Sequence, residues 1–102
     1  MGAQLMAKSI MQNTKECYIT GSTINLHKHH VFFGSANRSK SEKWGCWVWL
    51  RSDFHNTSDY SIHFDRVLDL WLKRDTQRQF EQLYSREKFM EIFGKNYLEE
   101  CQ

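Results

Sequence analysis

The chain has no proline, so no element is kinked by a pyrrolidine ring, and its turns depend on five glycines together with Asn, Asp and Ser. It has no internal repeat, which excludes a solenoid or propeller. No apolar run approaches the roughly 20 residues that a membrane span needs, and no long apolar core of a signal peptide opens the chain. Three cysteines, Cys17, Cys46 and Cys101, are odd in number and irregularly spaced, which does not suit a disulfide framework. These absences point to a soluble protein of a reducing cytoplasm with no membrane partner. Cys46 reads as a small buried residue and Cys101 as a tail thiol.

Net charge is small as well: the formal sum is +2, too little by itself to announce a nucleic-acid binder. Its distribution says more. From Leu26 to Arg51 the bases Lys28, Arg38, Lys40, Lys43 and Arg51 face Glu42 alone, whereas acids outnumber bases over the rest of the chain to its end. Basic charge therefore gathers in one stretch, as a phosphate backbone would require, although a solvated basic loop has the same appearance.

At 102 residues the chain holds one domain, with a core small enough that each aromatic matters. Residues 1–16 read as an N-terminal arm draped over the body. Within it, Met6 is an alternative start that would make residues 1–5 an extension. Residues 17–98 form the domain, and 99–102 a tail. Cys17-Tyr18-Ile19-Thr20 and Leu26 to Phe33 are strand-like runs separated by turn chemistry, which predicts a β-hairpin. Gly34 through Lys43 reads as a basic loop. Trp44 to Leu50 reads as an extended segment whose tryptophans pack in the core rather than stack on bases. Ser52 or Asp53 is positioned to cap a short helical turn carrying His55 and Asn56.

From about Ile62 to Tyr84, Phe64, Val67, Leu68, Trp71, Leu72, Phe80, Leu83 and Tyr84 form a stripe at helical spacing. Gln77, Arg78 and Gln82 fall on its polar face, which leaves a homodimer contact open. Ser85 opens a second helix through Phe93, and Gly94 closes it. The fold class is α+β, with a hairpin packed on C-terminal helices.

The stretch Leu26-His27-Lys28-His29-His30-Val31-Phe32-Phe33 concentrates the chemistry, since three of the five histidines lie in it. On a strand, His27 and His29 share one face, and Lys28 and His30 the other. Near the strand's end, His29 and His30 can still reach one small site. A neutral imidazole can ligate a metal or accept a proton from water. The remaining histidines, His55 and His63, flank a turn that contains Asp59.

The order of parts resembles a ββα-metal site. Six segments carry the resemblance: Cys-Tyr-Ile-Thr-Gly-Ser from Cys17, His-Lys-His-His-Val-Phe from His27, Ala-Asn-Arg-Ser-Lys-Ser-Glu-Lys-Trp-Gly from Ala36, Phe-His-Asn from Phe54, Ile-His-Phe-Asp from Ile62 and Ile-Phe-Gly-Lys-Asn-Tyr-Leu from Ile92. In this order, from Cys17 to Leu98, they resemble the HNH (His-Me finger) endonucleases, and among these the small HNH-like proteins of bacteriophage genomes.

The resemblance implies a ββα-metal core and a metal-dependent DNA endonuclease or nickase of phage recombination, replication or packaging, acting in the host cytoplasm. It implies His30 as general base and His29 and His55 as metal ligands. His63 is the further ligand, with Asp59 as the alternative. Asn37 or Asn56 would orient the base, and Arg38, Lys40 and Lys43 would hold flanking phosphates. An all-imidazole donor set favours zinc, nickel or manganese over magnesium as the divalent ion. Many members also carry a structural zinc on a Cys-x-x-Cys of the hairpin and a second Cys-x-x-Cys or Cys-x-x-His just before the helix. Here those positions read Cys17 and Thr20, then Arg51 and Phe54, so that zinc is not expected. A non-catalytic DNA-binding or inhibitory module on the same fold is the competing reading.

Overall fold

The computed structural model describes residues 8–57 and 65–98. Two strands, β1 (Leu26–His30) and β2 (Trp47–Arg51), pair antiparallel. Helix α1 (Asn37–Trp44) connects them, and a π-helical turn (Asp53–Thr57) follows β2. Helices α2 (Arg66–Leu83) and α3 (Arg86–Phe93) complete the α+β domain. Among the described residues no helix is long and apolar enough to cross a membrane.

The expected hairpin is replaced by a longer-range pairing. Cys17 to Thr20 closes into a turn, with Cys17 N–H donating to Ser22 O at 2.7 Å and Gly21 N–H to Cys17 O at 2.8 Å. β1 pairs instead with β2, in the register His27 to Leu50 and His29 to Val48. The Trp-Val-Trp-Leu-Arg run prevails because it can bury Val48 and Leu50 completely on one face while covering the sheet with indoles on the other.

The supposed basic loop is partly helical as well. Arg38, Lys40, Glu42 and Lys43 are good helix formers, and Gly45 ends α1 in the left-handed region at φ 74°. Ser41, the buried residue of α1, donates its hydroxyl to Phe32 O at 2.6 Å and accepts from Phe32 N–H at 3.1 Å. That exchange ties α1 to the chain just beyond β1.

Residues 8–18 run along β2 and the turn that precedes it. Ile10 N–H donates to Gly45 O (2.9 Å) and Tyr18 N–H to Trp49 O (2.8 Å), while Trp49 N–H donates to the Gln12 side chain at 2.8 Å. Ser9 adds a hydroxyl bond to Trp47 O. These contacts cover backbone groups that an open strand edge would otherwise offer to another chain. Gly45 is required where the arm crosses, because a Cβ there would lie 2.3 Å from Lys8 O.

Asp65 caps α2, accepting from Val67 and Leu68 N–H, so the helix starts later than Ile62; Phe64 lies outside the described residues. Ser85 caps α3 through Lys88 N–H, and Gly94 closes it at φ 75°, both as the sequence predicts. The buried face of α2 is rotated from the expected stripe. Leu72, Thr76, Gln77 and Phe80 are buried, whereas Val67 is 80% exposed and Trp71 46%.

Gln77 therefore does not belong to a polar outer face. Its Nε2 donates to Glu81 and to Asn96 (2.9 Å), and its Oε1 accepts from Tyr97 N–H at 2.8 Å. With its amide satisfied by the turn that follows α3, the side chain is buried at little cost. The core joins Val31, Phe32, Val48 and Leu50 to Leu72, Phe80, Phe89 and Phe93. Phe32 sits centrally, with ring centroids 5.2 Å from Phe89 and 4.6 Å from Phe93. Cys46 is buried here too, and Trp44 packs on Phe80 and Tyr84.

Candidate active site

Strand alternation sorts the histidines. His27 and His29 stand opposite Leu50 and Val48 on the core-facing side of the sheet, and His29 is 1% exposed. Lys28 and His30 stand opposite Trp49 and Trp47 on the other side. Leaving β2, the chain enters the π-helical turn. There Arg51 grips Asp53 through two bonds of 2.7 and 2.9 Å, with its guanidinium 5.3 Å from the Phe54 ring centroid. The widened turn carries His55 over β1. Its ring centroid lies 5.3 Å from that of His29 and 5.2 Å from that of His27, and the Nδ1 atoms of His27 and His55 are 3.0 Å apart.

On the other side, His30 Nε2 meets Glu42 Oε1 at 2.7 Å, and Lys28 Nζ lies 3.2 and 3.3 Å from the two Glu42 oxygens. Lys28 also stands 4.1 Å over the Trp47 ring. Burial acts to raise the Glu42 pKa, but the hydrogen bonds and charges of His30 and Lys28 outweigh it and hold the carboxyl below its ordinary value. Glu42 reaches this position because residues 37–44 are helical, which projects a carboxylate from α1 onto β1.

Both sides meet at the end of β1, where a cleft of about 560 Å³ opens. His29, His30 and His55 all line it, with Lys28, Phe33 and Arg38 beside them. Four of the candidate site residues, His29, His30, His55 and Arg38, thus line one concave site, Arg38 on its exposed rim.

Other candidates are placed differently. Asn37 opens α1, half-buried, and is not among the residues lining the cleft. Asn56 follows His55 in the π-helical turn. Lys40 donates to Ile92 O at 2.9 Å, tying α1 to α3, and Lys43 lies 6.0 Å from the Trp44 ring centroid. His63 and Asp59 fall outside the described residues.

Among the described residues no three His, Cys, Asp or Glu side chains are arranged as a group that could hold a metal ion. The closest approach to a donor set is the imidazole group of His27, His29 and His55, whose donor chemistry suits a borderline cation such as zinc or nickel.

Two residues of the site were not assigned a role from the sequence. Glu42 appeared there only as the single acid in a basic stretch, and its pairing with His30 depends on the helix. His27 was legible as the face-mate of His29 through the i, i+2 period. Comparison with protein-family models, with curated proteins and with solved structures finds no match to this chain.

Proposed function

We propose that this protein is a metal-dependent DNA endonuclease or nickase of the HNH type, acting in phage DNA metabolism, with a ββα-metal core made by β1, β2 and the π-helical turn. The observation that carries the reading is the meeting of His29, His30 and His55 in one cleft, with Glu42 bonded to His30. When Nε2–H donates to the carboxylate, Nδ1 is left as the ring's proton acceptor, and Glu42 balances the positive charge that the ring takes on.

Water attack on a phosphodiester then divides the work among residues of this chain. The water oxygen bonds to phosphorus as His30 takes the water's proton, the P–O bond to the leaving oxygen breaks, and that oxygen is protonated from solvent. A general base in this role typically contributes about 10²–10⁴-fold. A divalent cation held by His29 and His55 would supply charge neutralisation at the phosphoryl and leaving oxygens. Arg38 at the rim is the described basic residue best placed to hold a flanking phosphate. Lys40 serves α3 instead.

The alternative, a DNA-binding or inhibitory module without turnover, draws on the basic side chains Lys28 and Arg38 that line the same cleft. A supercoiled-plasmid assay with zinc, nickel, manganese or magnesium separates the two. Nicking supports the hydrolytic reading, whereas salt-sensitive binding with an intact plasmid under every ion supports the module.

A further inference from the structure

The geometry points to His27 as a metal ligand, paired with His55 across a two-imidazole site that takes a borderline divalent cation such as zinc, cobalt or nickel. This assignment rests on the metal-dependent reading above and adds a residue that the family resemblance does not supply. The Nδ1 atoms of His27 and His55 are 3.0 Å apart with their rings edge to face at 86°. Metal–imidazole bonds of roughly 2.0–2.1 Å at angles between square and tetrahedral set neighbouring donor nitrogens about 2.9–3.4 Å apart. The observed gap falls inside that range. It is also the length of an N–H···N hydrogen bond, which is the state the pair adopts before a cation displaces the shared proton.

Besides their mutual contact, both halves are held in place by the fold. His27 is fixed by its register against Leu50. His55 is carried on a π-helical turn, a feature found disproportionately at functional sites, and the Arg51–Asp53 fork secures the start of that turn. The third imidazole, His29, lies 5.3 Å from the His55 ring, and His29 and His55 both line the cleft. His55, which lines the cleft, would link a cation held by the pair to the site where a phosphate is proposed to lie. A nitrogen-only pair of this kind would hold a borderline ion in preference to magnesium, which favours oxygen ligands.

The test is titration of the full chain with zinc, read by long-range proton–nitrogen NMR of the imidazoles, and with cobalt, read by visible absorption. Zinc is expected to move the Nδ1 resonances of His27 and His55 together to the metal-bound range. His27→Ala, and separately His27→Asn to guard against a misfolded variant, should weaken cobalt affinity at least tenfold while Gln82→Ala, at an exposed position of α2, leaves it unchanged. If the His27 Nδ1 proton persists at saturating zinc, or if folded His27→Asn binds cobalt as the parent does, the assignment is overturned; metal-dependent nicking that needs His29 and His55 would then still stand. Conversely, joint Nδ1 shifts with no nicking under any ion uphold His27 as a ligand and remove the hydrolytic reading. An absence of any binding overturns the assignment.

Discussion

Replacing Glu42 by Gln isolates the electrostatic part of the site, because glutamine keeps the side-chain shape and gives up only the charge. Glu42 Oε1 lies 2.7 Å from His30 Nε2, and Lys28 Nζ is 3.2 Å from Oε2. The three side chains are 15–22% exposed, so solvent screens them only in part. Hydrogen bonds to a charged partner contribute about 1.5–3 kcal/mol against about 0.5–1.5 for neutral ones. Losing the charge across two partners should therefore cost about 1–3 kcal/mol at neutral pH. For a domain of this size each kcal/mol lowers the melting temperature by about 4–8 °C.

The pH dependence follows from the direction of the shift. Glu42 has a folded pKa held below the ordinary 4.5. Its stabilising contribution is therefore complete above the unfolded value and is lost as pH falls through the lower folded value. Denaturation of the parent and Glu42→Gln between pH 7 and pH 3 should show a gap that is present above about 4.5 and closes below it. A gap that stays the same across this range would show that the charge on Glu42 is not what holds α1 to β1.

Further substitutions test the frame around the site. Gly45→Ala should destabilise by at least about 1–3 kcal/mol and make the arm protease-sensitive, because φ is 74° and the new methyl would meet Lys8 O; parent-like melting would refute that account of the arm. Gln77→Leu should cost about 2–3 kcal/mol in urea denaturation through the abandoned Tyr97 N–H and Asn96 partners, and a more stable variant would show that the buried amide has no structural role. Burial pushes the Cys46 thiol up to about 12, so alkylation mapped by mass spectrometry at pH 8 should spare Cys46 until the protein unfolds.

The candidate site was more legible in the sequence than the topology that builds it. His29 and His30 could be grouped because alternation along a strand, and the ability of both faces to meet at its end, are local properties readable from residue order; His55 joins them only through the family resemblance. The caps were legible for the same reason, as Ser85 and Gly94 act within one turn of their helices. The partner of β1 was not, because Cys17 to Thr20 has strand-like residues but closes on Ser22, and the competing segment lies beyond α1. That choice depends on which run can bury Val48 and Leu50 against Leu72 and the phenylalanines, information held by the whole chain. Gln77 illustrates the same limit. An amide reads as surface until the turn at Asn96 and Tyr97 is seen to satisfy it. Glu42 was hidden by the serines around it, which suggested a loop, although its charged neighbours favour the helix that carries it to His30.

In the proposed reaction His30 accepts a proton from water beside a cation-holding pair. Single-turnover nicking of supercoiled plasmid by the parent and by His30→Ala, with metal occupancy matched in both, tests it most directly. The account predicts cleavage by the parent and a fall of about 10²–10⁴-fold in the variant. Equal rates in the two proteins, or an uncut plasmid with the parent fully loaded with each divalent ion, would contradict it.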